Sequence, residues 1–218
     1  MLCSKSKSYF QLLRLFNGYE LIEVIGQGRF SMVFKVREQE TNQIFAAKVY
    51  SNKEMEYQRK SFLIINEISI HSSLFHENIV KLHDIFKVTN KLNEDFTIIV
   101  QEYCSKGSLY DYAIHHGFKN EKEKKKILFG ITKAVEYLHQ KNIAHCDIKP
   151  ENILLTEDMI PKLSDFNLSK NFNSAFTYQP CGSQLYAAPE LITKNPKEID
   201  FFKADIWSLA VTIFASSE

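Results

Sequence analysis

No pair of cysteines in this chain stands at metal-ligand spacing. The four cysteines, Cys3, Cys104, Cys146 and Cys181, are scattered, which fits reduced thiols in an intracellular protein and argues against a paired-cysteine metal site. No run of roughly 18 apolar residues is available to span a bilayer. Gln11 and Arg14 interrupt the apolar character of the first residues, so no signal peptide is read there, and a cytoplasmic or nuclear location is expected. Charge of either sign is not in excess. The chain has 27 basic and 26 acidic residues, a formal +1, and so no whole-chain attraction to nucleic acid or an anionic membrane. Internal repeats and low-complexity linkers are also absent. Asn167-Leu168-Ser169 matches a glycosylation sequon, which has no meaning in an intracellular protein.

The remaining composition is that of a globular protein. At 218 residues, 44% hydrophobic and 24% charged, the chain suits one or two domains with a substantial core. Its first half reads as strands. Tyr19–Ile25 alternates and is rich in branched residues, then stops at Gly26-Gln27-Gly28. Val33–Val36 and Ile44–Tyr50 follow, forming an antiparallel meander with a turn at Thr41-Asn42-Gln43. The period changes to helical between Glu54 and Leu74, with Phe62, Ile65, Ile68 and Ser69 on one face. Two further strands are expected at Lys81–Val88 and Phe96–Gln101. After Gly107 the chain turns helical. Ile127, Leu128, Ile131, Ala134, Val135 and Leu138 define an amphipathic helix, preceded by the charge run Glu121–Lys126, which reads as a solvated helix start. Ala204–Ala215 reads as a buried helix. Strands first and helices afterwards argue for an α+β protein of two lobes joined near Glu102–Gly107.

Three constellations carry chemistry. Gly26-Gln27-Gly28-Arg29-Phe30-Ser31 with Val33 is a turn whose glycines let backbone amides approach phosphate oxygens. A plain β-turn would look the same, and its place between two strands argues against a dinucleotide-binding helix start. Lys48 sits inside an apolar strand, where a lysine is costly unless an anion satisfies it. The solvent face of the strand is the alternative. Glu67, on the next helix, is its candidate partner, with a surface carboxylate as the default. The decisive stretch is His145-Cys146-Asp147-Ile148-Lys149-Pro150-Glu151-Asn152, followed by Leu163-Ser164-Asp165-Phe166-Asn167. Phosphoryl transfer needs these parts: a carboxylate to orient the attacking hydroxyl, a cation for the moving phosphoryl group, and oxygen ligands for magnesium.

From about Tyr19 onward the chain resembles the eukaryotic protein kinases of the serine/threonine type. The glycine-rich loop, the lysine of Ala46-Ala47-Lys48, HCDIKPEN, the Asp165-Phe166-Asn167 triplet, Ala188-Pro189-Glu190 and Asp205-Ile206-Trp207-Ser208 stand in family order. The resemblance implies a bilobal fold: an N-lobe of antiparallel sheet and one helix at 19–101, a hinge at 102–107, and an incomplete, mostly helical C-lobe at 108–218. An extension would occupy 1–18. It implies ATP and Mg2+, and protein substrates with serine or threonine acceptors. It carries no signature of an oligomeric state. Lys48, paired with Glu67, would hold the α- and β-phosphates, with Gly26 and Gly28 in the loop over them. Asp147 would be the catalytic carboxylate and Lys149 would stabilise the transferring phosphate. Asn152 and Asp165 would bind magnesium. Ile25, Val33, Ala46 and Leu154 would sandwich the adenine, with Glu102–Cys104 at its edge and Gln101 as gatekeeper. Lys149 is similar to the serine/threonine branch, and Ser183 matches the position whose hydroxyl reaches the catalytic Asp and Lys. EISIHSSLFHENIVKL and CGSQLYAAPE resemble the polo-like and calmodulin-dependent groups.

Four departures qualify the resemblance. Ser31 replaces the third loop glycine, a tolerable exchange for a small residue. Cys146 replaces the arginine that pairs with an activation-segment phosphate in many kinases, which implies little dependence on phosphorylation there, with Thr177 as the remaining acceptor. Asn167 replaces a glycine, in a turn that Asn's tolerance of positive φ would permit. The last concerns the chain end: no arginine follows to pair with Glu190, and the core-facing side of Ala204–Ala215 loses its cover. Several hundred Å2 of bare apolar surface costs on the order of 10 kcal/mol at ~25 cal/mol per Å2, so a fragment or an incomplete gene model is expected. A pseudokinase or truncated scaffolding module is the competing reading. Cys146, Asn167 and the missing helices favour it; the retained Lys48, Glu67, Asp147, Asn152 and Asp165 oppose it.

Overall fold

A computed structural model describes residues 15–28, 31–90, 92–174, 181–192 and 199–216. The chain divides into two compact units, Met1–Ile68 with Lys81–Tyr103, and Ser69–Val80 with Cys104–Glu218. Thr177, Arg29 and Phe30 lie outside the described residues.

The first unit is built on a six-stranded antiparallel sheet: β1 (Leu15–Phe16), β2 (Tyr19–Gln27), β3 (Ser31–Glu38), β4 (Ile44–Ser51), β5 (Leu82–Thr89) and β6 (Asp95–Glu102). Its spatial order is β1-β2-β3-β4-β6-β5, so the expected meander holds, with β6 added beside β4 and β5 outside β6. The β1 strand is new. Asn17 and Gly18 have φ of 45° and 82°, the two successive positive values of the tight hairpin turn that Asn-Gly favours. This turn pairs Phe16 with Tyr19. β2 runs two residues further than expected, so Gly26 lies inside the strand opposite Val33. One face of the sheet carries Phe34, Val36, Phe45, Ala47, Val49, Ile98 and Val100, all buried together. Each of the larger of these side chains removed from water contributes about 1.5–3 kcal/mol.

The helix expected over Glu54–Leu74 is two helices, α1 (Asn52–Tyr57) and α2 (Ser61–His71), broken where Arg59 takes φ 54°. Its buried face also differs. Phe62 is 37% and Ile65 69% exposed, whereas Leu63, Ile64, Glu67 and Ile70 are buried. Apolar residues lie on most sides of this helix, so spacing alone does not select a face. Burial of Glu67 shows which side turns inward.

In the second unit, α3 (Leu109–His115) and α4 (Glu121–Gln140) precede β7 (Ile143–Ala144), a 3-10 turn at Pro150–Asn152, β8 (Ile153–Leu155), β9 (Pro161–Leu163), β10 (Lys170–Asn171), α5 (Pro189–Ile192) and α6 (Phe201–Ala215). α4 starts where the Asn120 side chain accepts from Glu123 N, while Glu123 Oε2 accepts from Lys119 N, a reciprocal cap that satisfies two helix-start donors. The helix ends at Lys141, and Asn142 takes φ 56° just beyond it. The charge run at its start is largely exposed, as a solvated helix start should be. Ile127, Ile131, Ala134, Val135 and Leu138 enter a core shared with Ile148, Ile153, Leu163, Phe166 and Leu209. β8 and β9 form a pair of short apolar strands before Asp165, with Ile153 opposite Leu163.

α6 begins at Phe201, three residues before the expected start, because Asp200 caps it by accepting from Phe202 N and Lys203 N. It is not buried all round. Ala204, Asp205, Ser208, Leu209 and Thr212 face inward, while Ile206, Trp207 and Phe214 are 53%, 48% and 66% exposed.

Candidate active site

Within the first unit, Lys48 and Glu67 form a buried ion pair. Lys48 Nζ lies 2.8 Å from Glu67 Oε1, and the two residues are 6% and 1% exposed. The solvent-face alternative for Lys48 is therefore excluded, as is the surface default for Glu67. Tyr50 also donates its hydroxyl to Glu67 Oε2, a contact the sequence reading missed. Strand alternation carries the signal: residues 48 and 50 share one face of β4, while Ala47 and Val49 point into the sheet core. β4 pairs Lys48 with Val33 on one side and Ile99 on the other, and Ala46 with Gln101. Ala46 and Gln101 are buried, Val33 is half-buried, and Ile25 is 41% exposed. The Glu102 backbone N–H is already committed to Lys81 O, and its side chain accepts from Lys81 N at 3.1 Å. A Cβ on Gly28 would stand 3.1 Å from Ser31 Oγ, and Gly28 N donates to Ser31 O at 2.8 Å. Gly28 and Ser31 therefore constrain each other at the loop ends.

Within the second unit, Asp147 gathers the polar residues of the decisive stretch. Lys149 Nζ lies 2.8 Å from Asp147 Oδ2. Asn152 Nδ2 donates to the same oxygen at 3.0 Å and to the Asp147 carbonyl at 2.8 Å. Ser183 Oγ donates to Asp147 Oδ1 at 2.9 Å and accepts from Lys149 Nζ at 2.7 Å. Lys149, Asn152, Ser183 and Asp147 thus form one connected network. Leu154 is half-buried next to Ser108, to which β8 bridges. Cys104 is buried in the same unit. Asp165 is half-buried after β9.

The backbone around Asp147 is held by a second carboxylate. Asp205, 1% exposed, accepts from His145 N at 2.7 Å, Cys146 N at 2.8 Å and His139 Nε2 at 3.0 Å. Two successive N–H groups converge there because Cys146 takes φ 66°, a costly left-handed turn for a non-glycine residue. His145 is tied on both ring nitrogens. Nε2 faces Ser164 O at 3.0 Å and Nδ1 accepts from Asp147 N at 3.2 Å, which assigns the proton to Nε2. The ring also meets Phe166 edge-on, with centroids 5.2 Å apart.

The structure adds to three of the expectations. The positive φ in the Asp165-Phe166-Asn167 triplet falls on Asp165, at 67°, and not on Asn167, so the left-handed step comes two residues before the one that replaces glycine. Glu190, for which the sequence offers no arginine, nevertheless takes part in an interaction. Cys146 does more than leave an arginine's place empty, because it packs with Cys181 against Ala144 and Phe201. Burial pushes the Cys146 thiol well above its ordinary value, and a hydrogen bond from Cys146 lowers that of Cys181.

The donor set fits a magnesium–nucleotide complex. Asn152 commits its amide nitrogen to Asp147, so an incoming hard cation would meet the carbonyl oxygen of that amide, with the Asp165 carboxylate as the second ligand the family resemblance implies. Among the described residues no group of three or more His, Cys, Asp or Glu could hold a metal. No helix among them is long and apolar enough to cross a membrane.

This fold and these two polar clusters define a protein kinase domain. The family model described as "Protein kinase domain" matches residues 19–217, and the chain belongs to that family. Among curated relatives, the human "NUAK family SNF1-like kinase 2" is 36% identical over 197 residues, covering 90% of this chain and 30% of that protein. The human "NUAK family SNF1-like kinase 1" is 34% identical over 197 residues, covering 90% of this chain and 29% of its own length. "Serine/threonine-protein kinase cds1" of Schizosaccharomyces pombe is 33% identical over 205 residues, covering 90% and 44%. The chain therefore spans less than half the length of these relatives.

Proposed function

We propose that this chain transfers the γ-phosphate of ATP to serine or threonine hydroxyls of protein substrates, with Asp147 as the catalytic carboxylate. One observation carries the reading: a hydroxyl, that of Ser183, already sits between the Asp147 carboxylate and the Lys149 ammonium at 2.9 and 2.7 Å. An acceptor hydroxyl in that setting is oriented by its proton toward Asp147, with Lys149 beside the oxygen. As that oxygen bonds to the γ-phosphorus, the bond from phosphorus to the β-bridging oxygen breaks. ADP departs and the hydroxyl proton passes to Asp147. Lys149 offsets negative charge on the moving group, and Lys48, held by Glu67, would grip the α- and β-phosphates. Magnesium, held by Asn152 and Asp165, would neutralise charge on the phosphate oxygens. Gly26 and Gly28, without side chains, would let the loop backbone approach the phosphates. Ile25, Val33, Ala46 and Leu154 would bracket the adenine, with Gln101, Glu102 and Cys104 along its edge. The domain organisation that goes with this is an extension at 1–18, lobes at 19–101 and 108–218, and a hinge at 102–107.

The test is transfer of labelled phosphate from ATP to a degenerate serine, threonine and tyrosine peptide mixture, with and without magnesium, followed by phosphoamino-acid analysis. Label on serine or threonine that requires magnesium supports the reading. Label on tyrosine alone, or none on peptide under any condition, contradicts it.

A further inference from the structure

We propose that Tyr50 is a positioning residue for Lys48, acting through Glu67. Tyr50 is 1% exposed and lies two residues beyond Lys48 on the same face of β4. The Glu67 carboxylate is shared between them: Oε1 pairs with Lys48 Nζ at 2.8 Å and Oε2 accepts the Tyr50 hydroxyl. A carboxylate buried to this degree needs donors on both oxygens. The last torsion of a glutamate is also broad and roughly two-fold, so the bond to Lys48 does not by itself fix the orientation of the group. The phenol closes that freedom. With Oε2 held by a side chain of the rigid central strand, Oε1 has one direction left, and the ammonium is held where Oε1 points. The same ring lies beneath that ammonium, with Lys48 Nζ 5.4 Å from its centroid, a cation–π distance that adds to the fix. Tyr50 needs no contact with nucleotide to act. It sets the place of the residue that would make that contact.

A phenylalanine at this position would keep the ring, its volume and the contact with Lys48, and would lose only the hydroxyl. This inference rests on the reading that Lys48 engages the ATP phosphates, so Lys48→Met is run alongside. The experiment measures kcat/KM for magnesium–ATP, Kd for magnesium–ATP and thermal melting on the intact chain. The variants are Tyr50→Phe, Glu67→Gln, the double substitution and Lys48→Met. The expected result for Tyr50→Phe is a fall of about tenfold in kcat/KM for ATP, the scale of a lost hydrogen bond to a charged group. The peptide KM should be unchanged and melting cooperative. In the Glu67→Gln background the same change should cost less than about twofold, because the carboxylate through which Tyr50 acts on Lys48 is replaced by a neutral amide. Equal losses in both backgrounds would overturn the inference, since Tyr50 would then act by packing. So would Tyr50→Phe activity within about twofold of wild type, or a Tyr50→Phe chain without a cooperative transition. If Lys48→Met behaves as wild type, the reading of Lys48 itself fails. If Lys48→Met is impaired while Tyr50 and Glu67 are uncoupled, only the positioning role fails.

Discussion

Replacing Asp205 by alanine should unseat the catalytic loop without touching any residue of the proposed chemistry. The Asp205 carboxylate, 1% exposed, accepts from two consecutive backbone N–H groups and from His139. Truncation leaves both N–H groups without that acceptor, at about 1–3 kcal/mol each. Together with the lost His139 contact the cost is about 3–5 kcal/mol, the range for breaking a buried charged network. In a domain of this size that corresponds to a melting decrease of roughly 10 °C. Activity should suffer more than stability. Cys146 holds φ 66°, a conformation that costs about 1–2 kcal/mol and is held by this carboxylate. Once released, the turn relaxes and Asp147, the next residue, shifts. A displacement near 1 Å at a reacting group costs about 10²-fold in rate. Urea denaturation followed by tryptophan fluorescence gives the stability, and initial rates of phosphate transfer give the activity of the fraction that remains folded. The reasoning would be refuted by Asp205→Ala within about 1 kcal/mol of wild type with unchanged kcat.

Two further outcomes test other parts of the account. Gly130→Ala sets two effects in opposition: alanine gains about 1 kcal/mol of helix propensity in α4, but its Cβ would lie 2.6 Å from Pro161 Cγ and 2.8 Å from Asn78 Nδ2. Asn78 is itself bonded to Pro161 O, so neither neighbour moves freely, and net destabilisation of about 1–2 kcal/mol is expected from urea unfolding. Iodoacetamide labelling of Cys181, followed by mass spectrometry across pH, should show a rate midpoint below that of an ordinary thiol, because a hydrogen bond from Cys146 favours the thiolate. Lower pKa means more thiolate at a given pH, so the profile moves to lower pH; Cys146→Ala should move it back up, and an unmoved profile would remove Cys146 as the cause.

Much of the site was legible because its residues are covalently close. Asp147, Lys149 and Asn152 fall within six positions, so the loop that joins them also brings them together, and their network follows from local geometry. The β4 lysine was harder to read, since alternation names two faces without saying which is inside. The Glu67 contact resolves that, and with it Tyr50, whose role depends on a helix distant in sequence. The face of α2 was illegible for a related reason. Phe62, Leu63, Ile64, Ile65, Ile68 and Ile70 surround most of the helix, and the choice between them is made by what packs against it. Asp205 stood in a recognised motif, but its hold on the His145 and Cys146 backbone is a tertiary contact across 59 and 60 residues. The Asn17-Gly18 hairpin, by contrast, is legible in the sequence, because Asn-Gly is the pair such a turn favours.

The central claim is that Asp147 carries the chemistry of phosphate transfer. The most direct measurement compares wild type with Asp147→Asn in magnesium-dependent transfer of labelled phosphate from ATP to peptide, with ATP affinity measured on the same samples. The account predicts a rate loss of about 10²–10⁴-fold, the scale of a lost acid–base group, with ATP binding retained. Equal transfer by the two proteins would contradict it.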